Sequence, residues 1–474
     1  MAGGTTSLHN MIKNLGAFVF SGTTGMLLSF LTGVYLARTL GASPYGQISF
    51  AIAITTYFYF VADFGINMYG TTKVSSNKES LMETIGTIYP LKLAMATAGF
   101  IVLCVISFLF IGGENRIIVL LYGASVFPMA LAFDWVFQSA EKMQYPGLAK
   151  ILYTGSMFVL VVLFVHSPEQ LLLVPIFQFL GIAASTILMI CIFSRQYHLP
   201  KFKFKVEEWK NIILSSLPYG VTGSLTMLVW YAPFIVLQYS DGSEAVGYFT
   251  AADQIISSLI AVFGWYFYCI YPVFVKNNND ANAVQNYSTR FVIGIITPMC
   301  VGGILLAKQI MVFVYGAEYL PAVDLLVLLM VSLWFLILNQ IYIFGMFSIG
   351  KQKVTTRIFA IQCVGTMILC ALLIPAFSAV GAAIAAIGCE VIALPLFHLE
   401  FRKTIRIDYL GNLVKAGVAS LFMVVAIVVL QTFVIDNMIS SIAIGGIVFL
   451  AAAVCVKLIT KEDISKIMHR GTST

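Results

Sequence analysis

Charged side chains inside long apolar segments are the residues of this sequence best placed to do chemistry. Glu390 lies about 14 Å along the apolar run that begins near Gly381, at 1.5 Å per helical residue, and Lys92 lies at a similar depth past Thr84. A charge in membrane hydrocarbon is costly, so each is a candidate functional group. Glu390 fits either cation coupling in a cavity or a structural hydrogen bond to a neighbouring helix. Lys92 fits a cavity wall, or an interfacial position if its helix begins at Pro90.

Five further charged residues are candidates for lining a substrate cavity. Asp63 and Asp134 lie in FVADFGIN and AFDWVFQSAEK, near the expected inner ends of two spans, where capping or snorkelling to the interface is an alternative role. Asp253 lies in the first turns of another span, within GYFTAADQI. Arg38 and Lys308 lie near the expected outer face, where bases suit an anionic substrate and equally suit anchoring.

Motifs of catalysis or metal binding are absent from the sequence. It has no HExxH, no Walker loop and no Ser, His and Asp arrangement. The eight cysteines fall in apolar segments without a CxxC pair, and the five histidines have no ligand spacing. We therefore expect no cofactor, no metal site and no enzymatic activity. The driving force would come from an ion gradient, the substrate gradient or a partner.

The composition identifies the kind of element that positions these residues. Of 474 residues, 60% are hydrophobic and 10% are charged, with a mean hydropathy of +0.94, which excludes a water-soluble globule. Lipid offers no partners to backbone N–H and C=O groups, so the spans are helices of about 20 residues. The fold class is therefore an all-α polytopic membrane protein.

Apolar runs separated by Gly, Pro and charged residues predict about 14 transmembrane helices. Six lie in an N-terminal lobe, residues 1–193, and six in a C-terminal lobe, residues 212–401. The basic segment 194–211 joins the lobes, and residues 402–474 hold the last two helices and a tail. The prediction is two pseudo-symmetric six-helix lobes plus two C-terminal helices.

The basic residues support this count. Of the 27 Lys and Arg residues, all but Arg38, Lys92, Arg116 and Lys308 fall in alternate loops or at helix ends facing them. Cytoplasmic loops are enriched in Lys and Arg, so both termini are expected in the cytoplasm. No basic patch lies on a soluble domain, so a net charge of +6 does not indicate nucleic acid as a partner.

A short polar turn occurs twice along the chain. Gly41 and Gly46 lie between the first two predicted spans, and Gly242 and Gly247 repeat their spacing 201 residues later. Such a repeat is typical of transporters built from two similar bundles, with the functional site between them.

Several phrases together resemble the polysaccharide, or O-antigen, flippases of the multidrug/oligosaccharidyl-lipid/polysaccharide exporter superfamily. The first half contributes GVYLARTLGASPYGQISFA, VADFGIN and DWVFQSAEKM, and the second VGYFTAADQI, FSIGKQK and AVGAAIAAIGCE. The motif positions are Arg38, Gly41, Tyr45, Gly46, Asp63, Gly65, Trp135, Glu141, Lys142, Gly247, Ala252, Pro272 and Glu390. The resemblance covers nearly the whole chain, and most of these positions are turn or packing residues.

This resemblance implies MATE-like lobes around a central cavity in a bacterial cytoplasmic membrane. The implied activity is transfer of an undecaprenyl-pyrophosphate-linked oligosaccharide to the outer leaflet by alternating access, with membrane lipid and a polymerase or ligase as further partners. The first two spans lack the deep basic residues expected for a lipid II substrate. Lys92 is therefore the chief candidate for holding a pyrophosphate or an acidic sugar.

Two other functions stay open at this point. A multidrug or organic-cation antiporter of the same superfamily usually has twelve spans and acids clustered in one lobe. An integral-membrane glycosyltransferase or ligase usually carries a large outer loop, whereas every outer loop here is short. Both patterns fit this sequence less well than a flippase does.

Overall fold

The computed structural model of the chain describes residues 3–198, 202, 204, 206–276, 281–404, 409–433 and 438–458. All regular structure in those ranges is helical. In chain order the α-helices are α1 Gly3–Leu40, α2 Ala42–Asp63, α3 Ile66–Ser76, α4 Leu81–Phe110, α5 Gly113–Ala124, α6 Val126–Ala130, α7 Asp134–Ser139, α8 Gln144–Phe164, α9 Leu173–Gln196, α10 Val206–Lys276, α11 Ala281–Leu305, α12 Ala307–Tyr315, α13 Val323–Ser348, α14 Gln352–Phe401, α15 Tyr409–Phe433 and α16 Met438–Cys455. The 3-10 helices are Lys78–Ser80, Pro168–Gln170 and Ala317–Ala322. The predicted all-α fold class is confirmed.

Twelve helical stretches among the described residues are long and apolar enough to cross a membrane. Two of them, Gly223–Tyr271 with 49 residues and Gln352–Phe401 with 50 residues, are more than twice the length of about 20 residues that one crossing needs. If each of these two crosses twice, the chain crosses fourteen times, as the sequence predicts.

The first of the two, in α10, folds back on itself at Gly242. This residue has φ 83° and ψ −176°, outside the helical region. Phe234 and Phe249, on either side of it, pack with their ring centroids 5.2 Å apart. In a straight helix these residues would lie about 22 Å apart. The helix is therefore a hairpin of two spans.

The second, α14, reverses at Ser378, which has φ 56°. Gln362 Nε2 donates a hydrogen bond of 3.2 Å to Glu390 Oε1, although the two residues would be about 42 Å apart in a straight helix. Both hairpins agree with the predicted count of about 14 spans.

The repeated glycine turn is also present in the structure. Gly41 has φ 82° and ψ 174°, nearly the same backbone angles as Gly242. A Cβ on Gly46 would lie 1.7 Å from the Ser243 carbonyl oxygen, and a Cβ on Gly247 would lie 1.9 Å from that of Ala42. Ser243 is the counterpart of Ala42 in the repeat. The two copies of the turn therefore touch through a reciprocal contact that only glycine permits at these positions.

The chain divides into two compact units, Met1–Thr250 and Ala251–Thr474. A buried cluster of the first unit, made of aromatic and aliphatic side chains, lies around Tyr89 and Trp135. A smaller cluster in the second unit lies around Tyr342 and Phe397. The lobe boundaries drawn from the sequence stay a prediction.

Candidate functional site

The helical stretch Ala42–Ser76, which contains the second span, is interrupted at Phe64 and Gly65. Helix α2 ends at Asp63, Phe64 has φ 38° and Gly65 has φ 78°, and α3 then continues to Ser76. The break is packed closely, because a Cβ on Gly65 would lie 2.7 Å from Tyr219 Cβ of α10. Irregular backbone at membrane depth is tolerated where it is buried in protein or lines a cavity, and broken helices often mark transport sites.

Lys92 of α4 bridges the two sides of this break. Its ammonium nitrogen lies 3.1 Å from Asp63 Oδ1, in the last residue of α2. It also donates a hydrogen bond of 2.8 Å to Asn67 Oδ1, in the first turn of α3. The Lys92 side chain is 1% exposed and that of Asp63 is 16% exposed. Lys92 therefore ties both halves of the broken span to α4. We call these three residues the Lys92 bridge.

Lys92 lies well inside its own helix. Helix α4 begins at Leu81, so the lysine is about 16 Å from that end at 1.5 Å per residue. Pro90 lies within the helix rather than at its start. The helix therefore does not begin at Pro90, which was the condition for an interfacial Lys92.

A second acid lies close to the Lys92 bridge. Asp134 is the first residue of α7, is partly buried and lies within electrostatic range of Lys92. Tyr59, one turn before Asp63, interacts electrostatically with both acids. The structure thus brings together three of the predicted residues, Lys92, Asp63 and Asp134. The sequence placed both acids near the inner ends of spans, and Asp63 is the last residue of the 22-residue helix α2.

Glu390 forms a second polar cluster, in the unit Ala251–Thr474. Asn339 Nδ2 of α13 donates 2.7 Å to Glu390 Oε2 and 3.0 Å to the Glu390 carbonyl oxygen. Gln362 of the first arm of α14 donates to Oε1. Asn339 Oδ1 is buried without a hydrogen-bond partner. The carboxyl group therefore joins three spans, beside a carbonyl oxygen with free acceptor capacity.

The remaining predicted residues are not part of these clusters. Asp253 Oδ2 accepts a hydrogen bond of 3.2 Å from Ser257, one turn further along α10. Arg38 is exposed in the last turn of α1, and Lys308 is exposed in the first turn of α12. Both are at helix ends, as the sequence indicates.

Three neutral amides were missed from the sequence: Asn67, Asn339 and Gln362. Each supplies a direct partner of a buried charge. The signal available was weak, because an isolated Asn or Gln in an apolar span does not reveal its partner. Asn67 could have been found from VADFGIN, since a glycine inside a helical pattern indicates a break and the flanking polar residues then face it.

The polar clusters do not resemble a metal centre. Within the described residues, no group of three or more His, Cys, Asp or Glu side chains could hold a metal ion. All eight cysteines are free thiols. The chemistry available is the binding of anions by one ammonium group and the binding of a proton or a small cation by carboxyl and amide oxygens.

Comparison with known proteins decides the family. Residues 11–278 match the family described as "Polysaccharide biosynthesis protein". This chain belongs to that family. A protein of Escherichia coli (strain K12) named "Putative O-antigen transporter" is 22% identical over 52% of this chain and 60% of its own length. The Staphylococcus aureus "Capsular polysaccharide biosynthesis protein CapF" is 23% identical over 83% of this chain and all of its own length.

Solved structures establish the same fold for this member of the polysaccharide biosynthesis family. "Lipid II flippase MurJ, inward closed conformation" has a TM-score of 0.79 and 17% identity, and covers 92% of this chain and 97% of its own. An inward-facing multidrug resistance MATE family transporter has a TM-score of 0.63 and 14% identity, and covers 80% of this chain and 96% of its own. The predicted MATE-like fold is confirmed, and the chain is a multi-pass membrane protein.

Proposed function

We propose that this chain moves a lipid-linked oligosaccharide from the inner to the outer leaflet of a bacterial cytoplasmic membrane by alternating access. The cargo is an undecaprenyl-pyrophosphate-linked repeat unit, such as that of an O-antigen or a related polysaccharide. Family membership and the fold shared with a lipid II flippase support the proposal. The observation that carries it is the Lys92 bridge, a buried cation at the break of a spanning helix.

Movement of a sugar across a membrane requires a transporter with polar groups inside its membrane-spanning part. Each sugar hydroxyl that enters hydrocarbon without a hydrogen-bond partner costs several kcal/mol of free energy, so the sugar needs a polar path. The carrier's hydrocarbon tail can stay in the lipid. The energy source lies outside the chain's own chemistry, because the sequence has no nucleotide-binding loop.

Lys92 is the group we assign to the pyrophosphate. Asp63 occupies the place beside the ammonium that a phosphate oxygen would take. At 1% exposure the ammonium is closed to a head group in the present conformation. Exchange of the Asp63 carboxylate for a diphosphate would release α2 from α4. Cargo binding and opening of the break would then be one event.

Glu390 is the group we assign to ion coupling. Its carboxyl oxygens and the free Asn339 Oδ1 are hard oxygen ligands suited to a proton or a sodium ion. Occupation of that site would change how α13 and the two arms of α14 are held together. Asp134, Asp253, Arg38 and Lys308 are the further polar groups that we propose along the path of the sugar.

The membrane topology and the partners of the chain follow from this cargo. Both termini lie in the cytoplasm, and the chain acts beside a polysaccharide polymerase or ligase that uses the exported unit. The role is transport rather than catalysis.

Deletion of the gene, followed by leaflet-resolved analysis of lipid-linked sugars, tests the proposal. We expect one oligosaccharide to accumulate in the inner leaflet and to clear when the wild-type chain is restored. Restoration with Lys92→Glu should leave the accumulation in place, whereas the exposed-site control Lys353→Gln should affect it far less. Unchanged lipids together with new drug sensitivity would favour the antiporter instead.

A further inference from the structure

Helix α2 packs antiparallel against the first arm of α10 and its turn, from the glycine turns to the break after Asp63. The adjoining pairs, in order from the turns, are Gly46 and Ser243, Phe50 and Tyr239, Tyr57 and Tyr231, Phe60 and Gly223, and Phe64 and Gly220. As the residue number rises along α2 it falls along α10, so the contact is continuous. We call it the α2–α10 seam.

The two ends of the seam are joined in different ways. At the turns, backbone meets backbone through Gly46 and Gly247. Near the break, aromatic rings of α2 lie over glycines of α10. A Cβ on Gly220 would lie 2.8 Å from the Phe64 ring, and a Cβ on Gly223 would lie 2.2 Å from the Phe60 ring. A ring can turn away about its side-chain bonds, whereas backbone atoms cannot, so the break end is the end that can separate.

The backbone at the break end is strained. Phe64 has φ 38° and ψ 37°, a left-handed conformation that bulky residues rarely adopt. Such conformations persist where surrounding contacts hold them, and they concentrate at sites that switch. Gly65 follows with φ 78°, and a Cβ on it would lie 2.9 Å from the Gly220 backbone nitrogen. A right-handed helix through both residues would redirect α3 and remove this close approach. The break end of the seam therefore depends on the strained conformation.

The same break is also held by α4. The Lys92 bridge contacts Asp63, immediately before Phe64, and Asn67, two residues after Gly65. The left-handed residues are thus restrained by α4 through an ammonium group and by α10 through ring packing. Loss of either restraint leaves the strained backbone with only the other.

We propose that the Phe64 ring is a latch that keeps α2 closed on α10 and opens when the diphosphate of the cargo takes Lys92 away from Asp63. The inference rests on the proposed function, because the cargo is the trigger. Once Asp63 is released, Phe64 becomes right-handed, α2 and α3 form one continuous helix, and the ring leaves Gly220. The seam then opens from the break, with the glycine turns as its pivot. The sequence assigns α2 and α10 to different predicted lobes, so alternating access requires a movement of this kind.

Distances between spin labels on the full chain in nanodiscs test the latch. Cysteine pairs are introduced at exposed positions in a cysteine-free background, with Met68→Cys and Leu217→Cys at the break end and Ser43→Cys and Ser240→Cys at the turn end. Undecaprenyl diphosphate is the probe. We expect it to add a second, longer distance to the break-end pair and to leave the distance of the turn-end pair unchanged.

Substitutions at the latch should open the break end without the probe. Phe64→Ala removes the ring and keeps a side chain that disfavours positive φ, whereas Gly220→Ala pushes the ring out of its place. Each should raise the ratio of separated to closed molecules about tenfold. The double variant should be less separated than Gly220→Ala alone, because the new methyl group then occupies space that the ring has left. Gly264→Ala, which has no atom within 4 Å of its added Cβ, is the control and should change nothing.

The outcomes separate the two proposals. A break-end distance that does not respond to the probe overturns the latch, and so does an effect of Gly264→Ala equal to that of Gly220→Ala. If Gly220→Ala fails to fold, Phe64→Ala and the response to the probe decide. Flipping of a lipid-linked oligosaccharide in proteoliposomes is measured on the same proteins. Flipping with an unchanged seam overturns the latch alone, whereas separation of the seam without flipping overturns the proposed function and leaves the latch standing.

Discussion

At the scale of single residues, the Lys92 ammonium both neutralises an acid and holds a discontinuous helix together. It contacts one residue on each side of the break, Asp63 and Asn67. An interaction of this kind is sensitive to its partners, because removal of one member of a buried pair leaves the other charge uncompensated. Substitution of Lys92 should therefore change both the stability of the protein and its transport activity.

Replacement of Lys92 by Met should destabilise the chain by about 3 kcal/mol, because Asp63 is left as a largely buried, unpaired carboxylate. The double variant Lys92→Met, Asp63→Asn should recover most of that loss. Lys92→Arg should retain most of the stability and transport. Thermal unfolding in detergent measures the first two effects. Equal stability of the single and double variants would show that the pair does not hold the break.

Glu390→Gln should leave the fold intact and remove the dependence of transport on an ion gradient. The substituted amide keeps the size of the carboxyl group that bonds to Asn339 and Gln362, and it cannot release a proton. Transport into proteoliposomes with and without imposed proton and sodium gradients measures this. Glu400→Gln, on the same helix and paired with the exposed Lys403, is the control. Retained gradient dependence in Glu390→Gln would leave only a structural role.

At the scale of elements, the decisive feature is the reciprocal contact of the two glycine turns. Gly46 and Gly247 each bring a helix against the backbone of the other copy of the repeat. Backbone atoms cannot rotate away as a side chain can, so the contact accepts no additional atom. The sequence predicted the repeat from spacing alone. It could not predict that the copies meet, because proximity depends on how the helices pack.

Gly46→Ala should cost about 1–3 kcal/mol of stability, the usual effect of overpacking, because its Cβ would lie 1.7 Å from the Ser243 carbonyl oxygen. Gly247→Ala should behave alike, since its contact is the mirror of the first. Gly264→Ala on α10 is the control, because no atom lies within 4 Å of its added Cβ. Thermal unfolding of all three variants measures the effect. A neutral Gly46→Ala would mean that the two turns are not in contact in the membrane.

At the scale of the whole molecule, the sequence predicted the fold class and the number of crossings because both follow from composition and apolar length. It also selected Lys92 and Glu390, which contact polar side chains of neighbouring helices. It did not predict the partners of those charges, since neutral amides such as Asn339 carry no signal in an apolar run. It also did not predict the break at Phe64, because that residue lies inside an apolar run. Long-range contacts are determined by packing, so a single sequence without its structure leaves them open.

The orientation of the chain can be tested through its two hairpin helices. Cysteine substituted at Gly242 or Ser378 in a cysteine-free background should react with an impermeant thiol reagent from outside the cell, whereas cysteine at Lys142 or Lys351 should react only after permeabilisation. The reason is that α10 and α14 reverse at Gly242 and Ser378, and that Lys and Arg concentrate in the opposite loops. If α10 crossed the membrane only once, every later position would lie on the opposite side. Labelling from outside would then occur at Lys351 and not at Ser378. That result would overturn both the fourteen-span count and the placing of the C terminus in the cytoplasm.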